Sequence, residues 1–359
     1  MSFNKIAIIG LGLIGGSLAK AIKHSDNSVY IAAFDKSEIL NKALVDKVID
    51  EPLSGVTGSL KCDLIFIALP IEKSLAVFKE LAPKLNTNQV ISDLCSVKGI
   101  FADEWKIISS AGNYIGAHPM TGKEKSGYDN SDLLLYENSV YIVCSENEDD
   151  KILNLYINFI KQVNARIVLL DAHLHDRITA HVSHLPQLLS VLLMNQANNK
   201  MEDISLLDFG AGGFRDMTRI ASSDFRIWQY IIKHNKAEII KTLSSFQDQI
   251  SKLTKMILAD EYELIGNLFE SARLARNEIP INTKGFIDPL YDITVFVKDE
   301  PGMISKISTI LFNNDINIKD IELLKIREGT GGNFKFYFES ENDAAKAKQL
   351  IITAGFNIQ

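Results

Sequence analysis

Three cysteines in 359 residues, Cys62, Cys95 and Cys144, are too few and too scattered for a disulfide framework or a zinc cluster. No apolar run approaches the roughly 20 residues that carry a helix across a bilayer, so a membrane partner is not expected. Positive charge is also in deficit. Asp and Glu number 45 against 38 Lys and Arg, a net charge of −7, and the pI is near 5.6. That balance argues against a nucleic-acid partner held by phosphate contacts. The first strand pattern begins at Lys5, which leaves no room for a secretory signal and points to the cytoplasm. What is present, 46% hydrophobic and 23% charged residues, is the composition of a globular chain long enough for two or three domains.

Residues 1–172 alternate short apolar runs with helical patterns. Lys5 to Ile9, Val29 to Phe34, Leu64 to Leu69, Val90 to Asp93, Val140 to Cys144 and Arg166 to Leu169 read as strands. The spacing predicts an α/β domain with a doubly wound, mostly parallel sheet. From His173 to Pro280 the pattern is helical almost without interruption. Ile239, Leu243, Phe246, Ile250, Leu253 and Ile257 keep a four-three spacing that seeks a helical partner. Ile240, Met256 and Leu258 add more apolar surface than one seam needs, which favours a homodimer over an intrachain bundle. Residues 281–290 read as a linker, and residues 291–359 as a small α+β unit in the order βαββαβ.

The most informative local pattern is Gly10-Leu11-Gly12-Leu13-Ile14-Gly15, between a strand and a helix. Gly10 permits the tight turn, Gly12 admits a pyrophosphate, and Gly15 allows close helix–strand packing, the Rossmann-type arrangement. Asp35 ends the second strand about 20 residues on, where a carboxylate accepts the adenosine ribose hydroxyls. Its charge favours NAD over NADP, although Lys36 beside it softens that preference. Leu69, closing the third long strand, joins this set of expected cofactor contacts.

Ser96 follows a buried strand at the sheet's carboxyl end. It suits either a bond to substrate or nicotinamide, or a helix N-cap. His118 falls in Gly116-Ala117-His118-Pro119-Met120-Thr121-Gly122, read as a loop, where a neutral imidazole is either a proton acceptor or merely solvated. His173, His175, His181 and His184 crowd together, but without H-E-x-x-H or a carboxylate at ligand spacing no metal is expected. Pro186 should kink the helix near Ser183 and His184 by leaving the Val182 carbonyl unpaired. The glycine-rich break at Gly210 to Gly213 precedes Arg215, Asp216 and Arg219. Arg219 suits bidentate binding of a carboxylate, or pairs with Asp216 or Asp224.

Together these segments resemble the prephenate dehydrogenase family with a C-terminal ACT domain. The resemblance rests on GLGLIGGS from Gly10, SDLCSVKG from Ser92, GAHPMTGKEKSG from Gly116, HDRITAHVSHLP from His175 and GFRDMTRIASSD from Gly213. It implies NAD-dependent oxidative decarboxylation of prephenate to 4-hydroxyphenylpyruvate in tyrosine biosynthesis. His118 matches the histidine that takes the substrate hydroxyl proton, and Ser96 the serine that orients that hydroxyl. Arg219 matches the arginine for the ring carboxylate, Asp216 its acidic neighbour, and Glu124 an acid that gates the pocket. Ser183 and His184 match pocket-lining positions. Many members carry a second histidine where this chain has Gln187, which leaves the second substrate contact and the choice between prephenate and arogenate open. Pro301 and Gly302 match the ACT turn near its ligand, which implies tyrosine as an effector. Three rival readings stand beside this one. An arogenate dehydrogenase would share fold and chemistry. A β-hydroxyacid dehydrogenase would need a helical-domain lysine, with Lys233 and Lys236 the nearest. A non-catalytic sensor of NAD and an amino acid would have no use for a proton acceptor.

Overall fold

The structure, a computed structural model, describes residues 3–123, 125–145, 151–278, 290–327 and 331–358. It divides into two compact units, residues 1–267 and 268–359.

In the first unit, β1 (Lys5–Ile9), β2 (Tyr30–Phe34), β3 (Glu51–Pro52), β4 (Leu64–Ile67), β5 (Val90–Asp93) and β6 (Asn113–Tyr114) form one sheet. Its order is β3-β2-β1-β4-β5-β6 and every pair is parallel. Strand order reverses between β1 and β4, the crevice where doubly wound sheets take dinucleotides. Crossovers run through α1 (Leu13–Ser25), α2 (Ser37–Val45), α3 (Ile71–Leu81) and α4 (Gly99–Ile107). Both faces are covered, so the strands read as continuous apolar runs. Ile6, Ile8 and Phe66 pack on one face with Leu18 and Ile22, while Ala7, Ile9, Ile65 and Ile67 pack on the other with Phe78.

One residue after β6 the chain resumes as β7 (Gly116–Pro119). It pairs antiparallel with β8 (Val140–Cys144), which pairs parallel with β9 (Arg166–Leu170) across α5 (Lys151–Lys161). The doubly wound, mostly parallel reading holds. His118 therefore sits on a strand, opposite Ile142, and not in the loop expected from its glycines and prolines. The loop proper begins beyond Pro119.

The helical region comprises α6 (Ala172–Thr179), α7 (Leu185–Ala197), α8 (Gly212–Thr218), α9 (Phe225–His234), α10 (Lys236–Leu258) and α11 (Tyr262–Glu278). It is less continuous than the pattern suggests. A hairpin of β10 (Lys200–Met201) and β11 (Ile204–Ser205) interrupts it. Glu202 and Asp203 turn that hairpin with φ of 49° and 68°, the left-handed pair that suits a two-residue connection. Between α6 and α7 lies a π-helical turn, Ala180–His184. Pro186 has no N–H for the Val182 carbonyl, so the helix widens just before it, where the kink was expected.

The second unit holds β12 (Tyr291–Val297), α12 (Met303–Phe312), β13 (Asp320–Arg327), β14 (Gly331–Phe338), α13 (Glu341–Thr353) and β15 (Asn357–Ile358). Its sheet runs β13-β14-β12-β15, with every pair antiparallel. Val295, Ile307, Leu311, Phe336, Phe338 and Ile351 fill its core. The strand expected from Ile316 begins only at Asp320. Asp315 turns the chain at φ 55°, and Ile316 is committed to the core before pairing starts. Of the expected linker, residues 281–289 lie outside the described residues.

Candidate active site

The glycine loop fits a dinucleotide on steric grounds. Gly10 has φ +99°, and a Cβ there would lie 2.6 Å from the Ala68 carbonyl oxygen. A Cβ on Gly15 would fall 1.9 Å from the Gly10 carbonyl oxygen, whereas one on Gly12 would meet nothing within 4 Å. Two glycines are thus required by the fold, and the third leaves open space at the start of α1, where unpaired N–H groups favour an anion. Leu11 is buried, and Leu13 and Ile14 pack partly against the core. The Leu69 side chain closes the loop's other side, 2.9 Å from the Gly10 Cβ position. Asp35 accepts the Leu11 N–H at 2.6 Å and the Lys36 N–H at 2.6 Å. It therefore shapes the loop from beneath, and a carboxylate with about four acceptor sites retains capacity for ribose hydroxyls.

At the carboxyl end of β5 a buried ion pair organises the site. Asp93 and Lys98 are fully buried and bonded to each other. The Asp93 carboxylate also accepts from the Tyr114 hydroxyl at 2.8 Å and the Cys95 N–H at 3.0 Å. Lys98 Nζ donates to the Ala117 carbonyl at 2.8 Å. The Ser96 loop is thereby fastened to the residue preceding His118. Ser96 itself is half-buried and is not the N-cap of α4. That task falls to Asp176 of α6, whose carboxylate accepts the Lys98 and Gly99 N–H groups, each at 2.8 Å. Burial makes the thiol of Cys95 inert, its pKa pushed up to about 12.

His118 belongs to a three-residue chain absent from the sequence reading, which weighs His175 only as a metal ligand. His118 Nδ1 lies 2.8 Å from His175 Nε2, and His175 Nδ1 lies 2.8 Å from Asp176 Oδ1. Burial, foremost, together with the neighbouring His175 ring and the Lys98 charge, holds the His118 pKa well below the ordinary histidine value. Burial likewise lowers His175, against the opposing pull of Asp176. Asp176 stays ionised: burial raises its pKa, but the hydrogen bonds from His175 and the backbone outweigh it. Both imidazoles are thus neutral and their tautomers follow from the carboxylate. Asp176 accepts only, so His175 carries its proton on Nδ1 and presents a lone pair at Nε2. His118 then donates from Nδ1 and keeps the Nε2 lone pair.

The π-helical turn and the start of α7 carry the next expected positions. His184 is buried, with its pKa lowered to about 4 by burial. It faces Asn235 Nδ2 at 3.2 Å and meets Trp228 edge-on at 5.9 Å. Ser183 is half-buried in the π-helical turn. Gln187, expected to face substrate, is buried and engaged with the chain. Its amide donates to the Ile220 carbonyl at 2.8 Å and accepts from the Ser223 hydroxyl at 3.4 Å. It holds the turn that bears Arg219, which is exposed like Asp216. Asp224 caps α9 and pairs with Arg226. Glu124 lies outside the described residues. Among the described residues no cluster of His, Cys, Asp or Glu could hold a metal ion, and no helix is long and apolar enough to cross a membrane.

In the second unit a cavity of about 340 Å³ opens at the turn after β12, lined by Asp299, Glu300, Gly302, Met303, Gly331 and Phe334 among others. Gly302 (φ +84°) and Gly331 (φ +127°) make its floor turns, and Pro301 is exposed beside it.

Comparison with known proteins agrees with this geometry. Residues 18–169 match the family described as prephenate dehydrogenase, nucleotide-binding domain. Residues 171–272 match its dimerization domain, and residues 291–352 match the ACT domain. The chain is similar to prephenate dehydrogenase of Bacillus subtilis (strain 168), 33% identical over 355 residues, covering 96% of this chain and 95% of the relative. It is also similar to prephenate dehydrogenase of Lactococcus lactis subsp. cremoris (strain MG1363), 31% identical over 352 residues, covering 97% of each. Among solved structures, prephenate dehydrogenase from A. aeolicus in complex with hydroxyphenyl propionate and NAD+ superposes with a TM-score of 0.71 at 28% identity. That match covers 78% of this chain and 99% of the other.

Proposed function

The chain belongs to the prephenate dehydrogenase family, and on that footing we propose that it oxidises and decarboxylates prephenate to 4-hydroxyphenylpyruvate, with NAD as oxidant in preference to NADP. The observation that carries this reading is the Asp176–His175–His118 chain, which leaves a neutral imidazole nitrogen at the carboxyl end of the sheet. The dinucleotide would be held by the 10–15 loop, Leu69 and Asp35, whose carboxylate favours NAD because it repels a 2′-phosphate. NAD, when bound, supplies the two-electron oxidant.

His118 Nε2 takes the ring hydroxyl proton while the carbon bearing that hydroxyl is oxidised. The carboxylate at the opposite ring position departs as carbon dioxide, and its bonding electrons complete the aromatic ring and finish on the phenolate oxygen. That oxygen takes the proton back, so atoms and charge balance with no net proton. Ser96 orients the hydroxyl, while Arg219 binds the ring carboxylate with Asp216 beside it. Ser183 and His184 shape the wall of the pocket, Gln187 holds the Arg219 turn, and Glu124 gates entry. No metal or covalent nucleophile is called for, because aromatisation supplies the driving force.

The family's dimerization domain and the apolar stripe on α10 support a homodimer, and we place the enzyme in the cytoplasm. The Gly302 cavity is offered as a site for tyrosine as effector. Purified protein given NAD should form NADH with prephenate, more weakly with arogenate, and less well when NADP replaces NAD. Preference for arogenate would keep the chemistry and change the substrate. Silence with all four combinations, in folded protein that binds NAD, would leave a sensor or another dehydrogenase. Tyrosine that alters neither activity nor thermal stability would remove it as effector.

A further inference from the structure

Resting on the proposed reaction, we infer that His175, braced by Asp176, is a positioning residue that temporarily holds the proton His118 takes and hands it back to the same substrate oxygen. As His118 Nε2 gains the hydroxyl proton, its Nδ1 proton shifts across 2.8 Å to His175 Nε2. The positive charge then rests on His175, whose own Nδ1–H stays bonded to Asp176 at 2.8 Å. The N–H bond at His118 Nδ1 breaks, the one at His175 Nε2 forms, and no electrons change hands. The reverse shift frees the Nε2 proton for the phenolate oxygen.

Charge placement is the reason for the shift. A cation on His118 lies near the buried Lys98, whose ammonium is paired with Asp93 and anchored on the adjacent Ala117 carbonyl, and among the described residues no carboxylate is hydrogen-bonded to the His118 ring. A cation on His175 touches the Asp176 carboxylate, itself fixed by the Lys98 and Gly99 N–H groups. Two like charges at short range inside a protein repel far more than in water, and an adjacent carboxylate reverses the sign. The holding position is also shut away from water. His175 is wholly buried, so the proton is kept from solvent during the interval between oxidation and its return. The cavity of about 210 Å³ lined by Gly99, Asp103, Asp176, Arg177 and Glu238 among others does not have His175 in its lining.

A purely orienting role, in which the pair only fixes the His118 tautomer, makes a different prediction. In His175→Gln the amide oxygen still accepts from His118 Nδ1 and preserves the tautomer, but it takes up no proton. Under holding, turnover of prephenate falls by about 10²-fold, the low end for a lost proton-transfer step, while KM and NADH binding are little changed. The dependence of rate on deuterium fraction is curved in wild type, where more than one proton moves, and linear in the variant. Turnover within about twofold of wild type, or a linear dependence in both proteins, would overturn the proposal. If the variant does not fold, wild-type protein still decides. ¹⁵N-histidine NMR must find both His118 and His175 neutral and protonated at Nδ1, and a proton on His175 Nε2 overturns it. Wild-type protein that ignores prephenate would instead defeat the functional reading, and this inference with it.

Discussion

The proposed role of His118 as base rests on where it lies, not on what it is. An exposed imidazole is half-protonated near pH 6.5, but burial beside His175 and Lys98 moves this one well below that value. The acid limb of kcat/KM for prephenate should therefore fall well below pH 6.5, and a limb at that value would mean a solvated His118. The same burial has a stability consequence. His118, His175 and His184 are all held neutral when folded, His184 down to about 4. On unfolding each becomes an ordinary histidine that binds a proton near pH 6.5. The contribution is thus present above that pH and is lost as pH falls through about 4. Thermal unfolding followed from pH 7 to 4 should show a declining Tm over that window. His118→Asn should reduce turnover by roughly 10²–10⁴-fold with NADH binding intact, measured by fluorescence. Sequence alone marks His118 as a candidate. It does not mark His175 as its partner, because the two are 57 positions apart and only the β7–α6 packing joins them.

Among elements, the β1–α1 turn is the best specified by local chemistry. Gly15→Ala would drive a methyl into the Gly10 carbonyl. An overpacked site typically costs about 1–3 kcal/mol, so Tm should drop and NADH affinity fall together. Wild-type affinity in that variant would show that the loop does not carry the dinucleotide. The β5–α4 connection was less legible. Sequence leaves Ser96 open between a substrate or nicotinamide contact and a helix N-cap, and it gives Lys98 no role. Instead a carboxylate from α6 caps the helix, and Lys98 is buried against Asp93. Lys98→Met should leave Asp93 as an uncompensated buried charge and cost about 3–5 kcal/mol, read from denaturant unfolding. The π-helical turn is the opposite case, since Pro186 announces it from sequence.

At the scale of the molecule, α10 carries an apolar stripe that the described residues of the first unit cover only at the start. Ile239 is buried, whereas Ile250, Leu253 and Ile257 are 52%, 38% and 55% exposed. Three large apolar side chains in register on one helix are costly to leave in water. Sedimentation should give twice the 40.0 kDa chain mass, and Ile250→Glu with Leu253→Glu should shift it toward the monomer. A monomeric wild type would return the stripe to an intrachain or ligand-covering role.

Sequence by itself determined what depends on short range. The glycine turn, the alternation of strands and helices and the helix-breaking Pro186 all follow from backbone sterics and periodicity within a few residues. Tertiary structure alone decided which groups meet. It put His118 on a strand, bonded Gln187 to the turn that bears Arg219, and joined Asp176 to both α4 and His175. Those outcomes depend on burial and on hydrogen bonds between elements far apart in the chain. Both are set by packing, which no local pattern encodes.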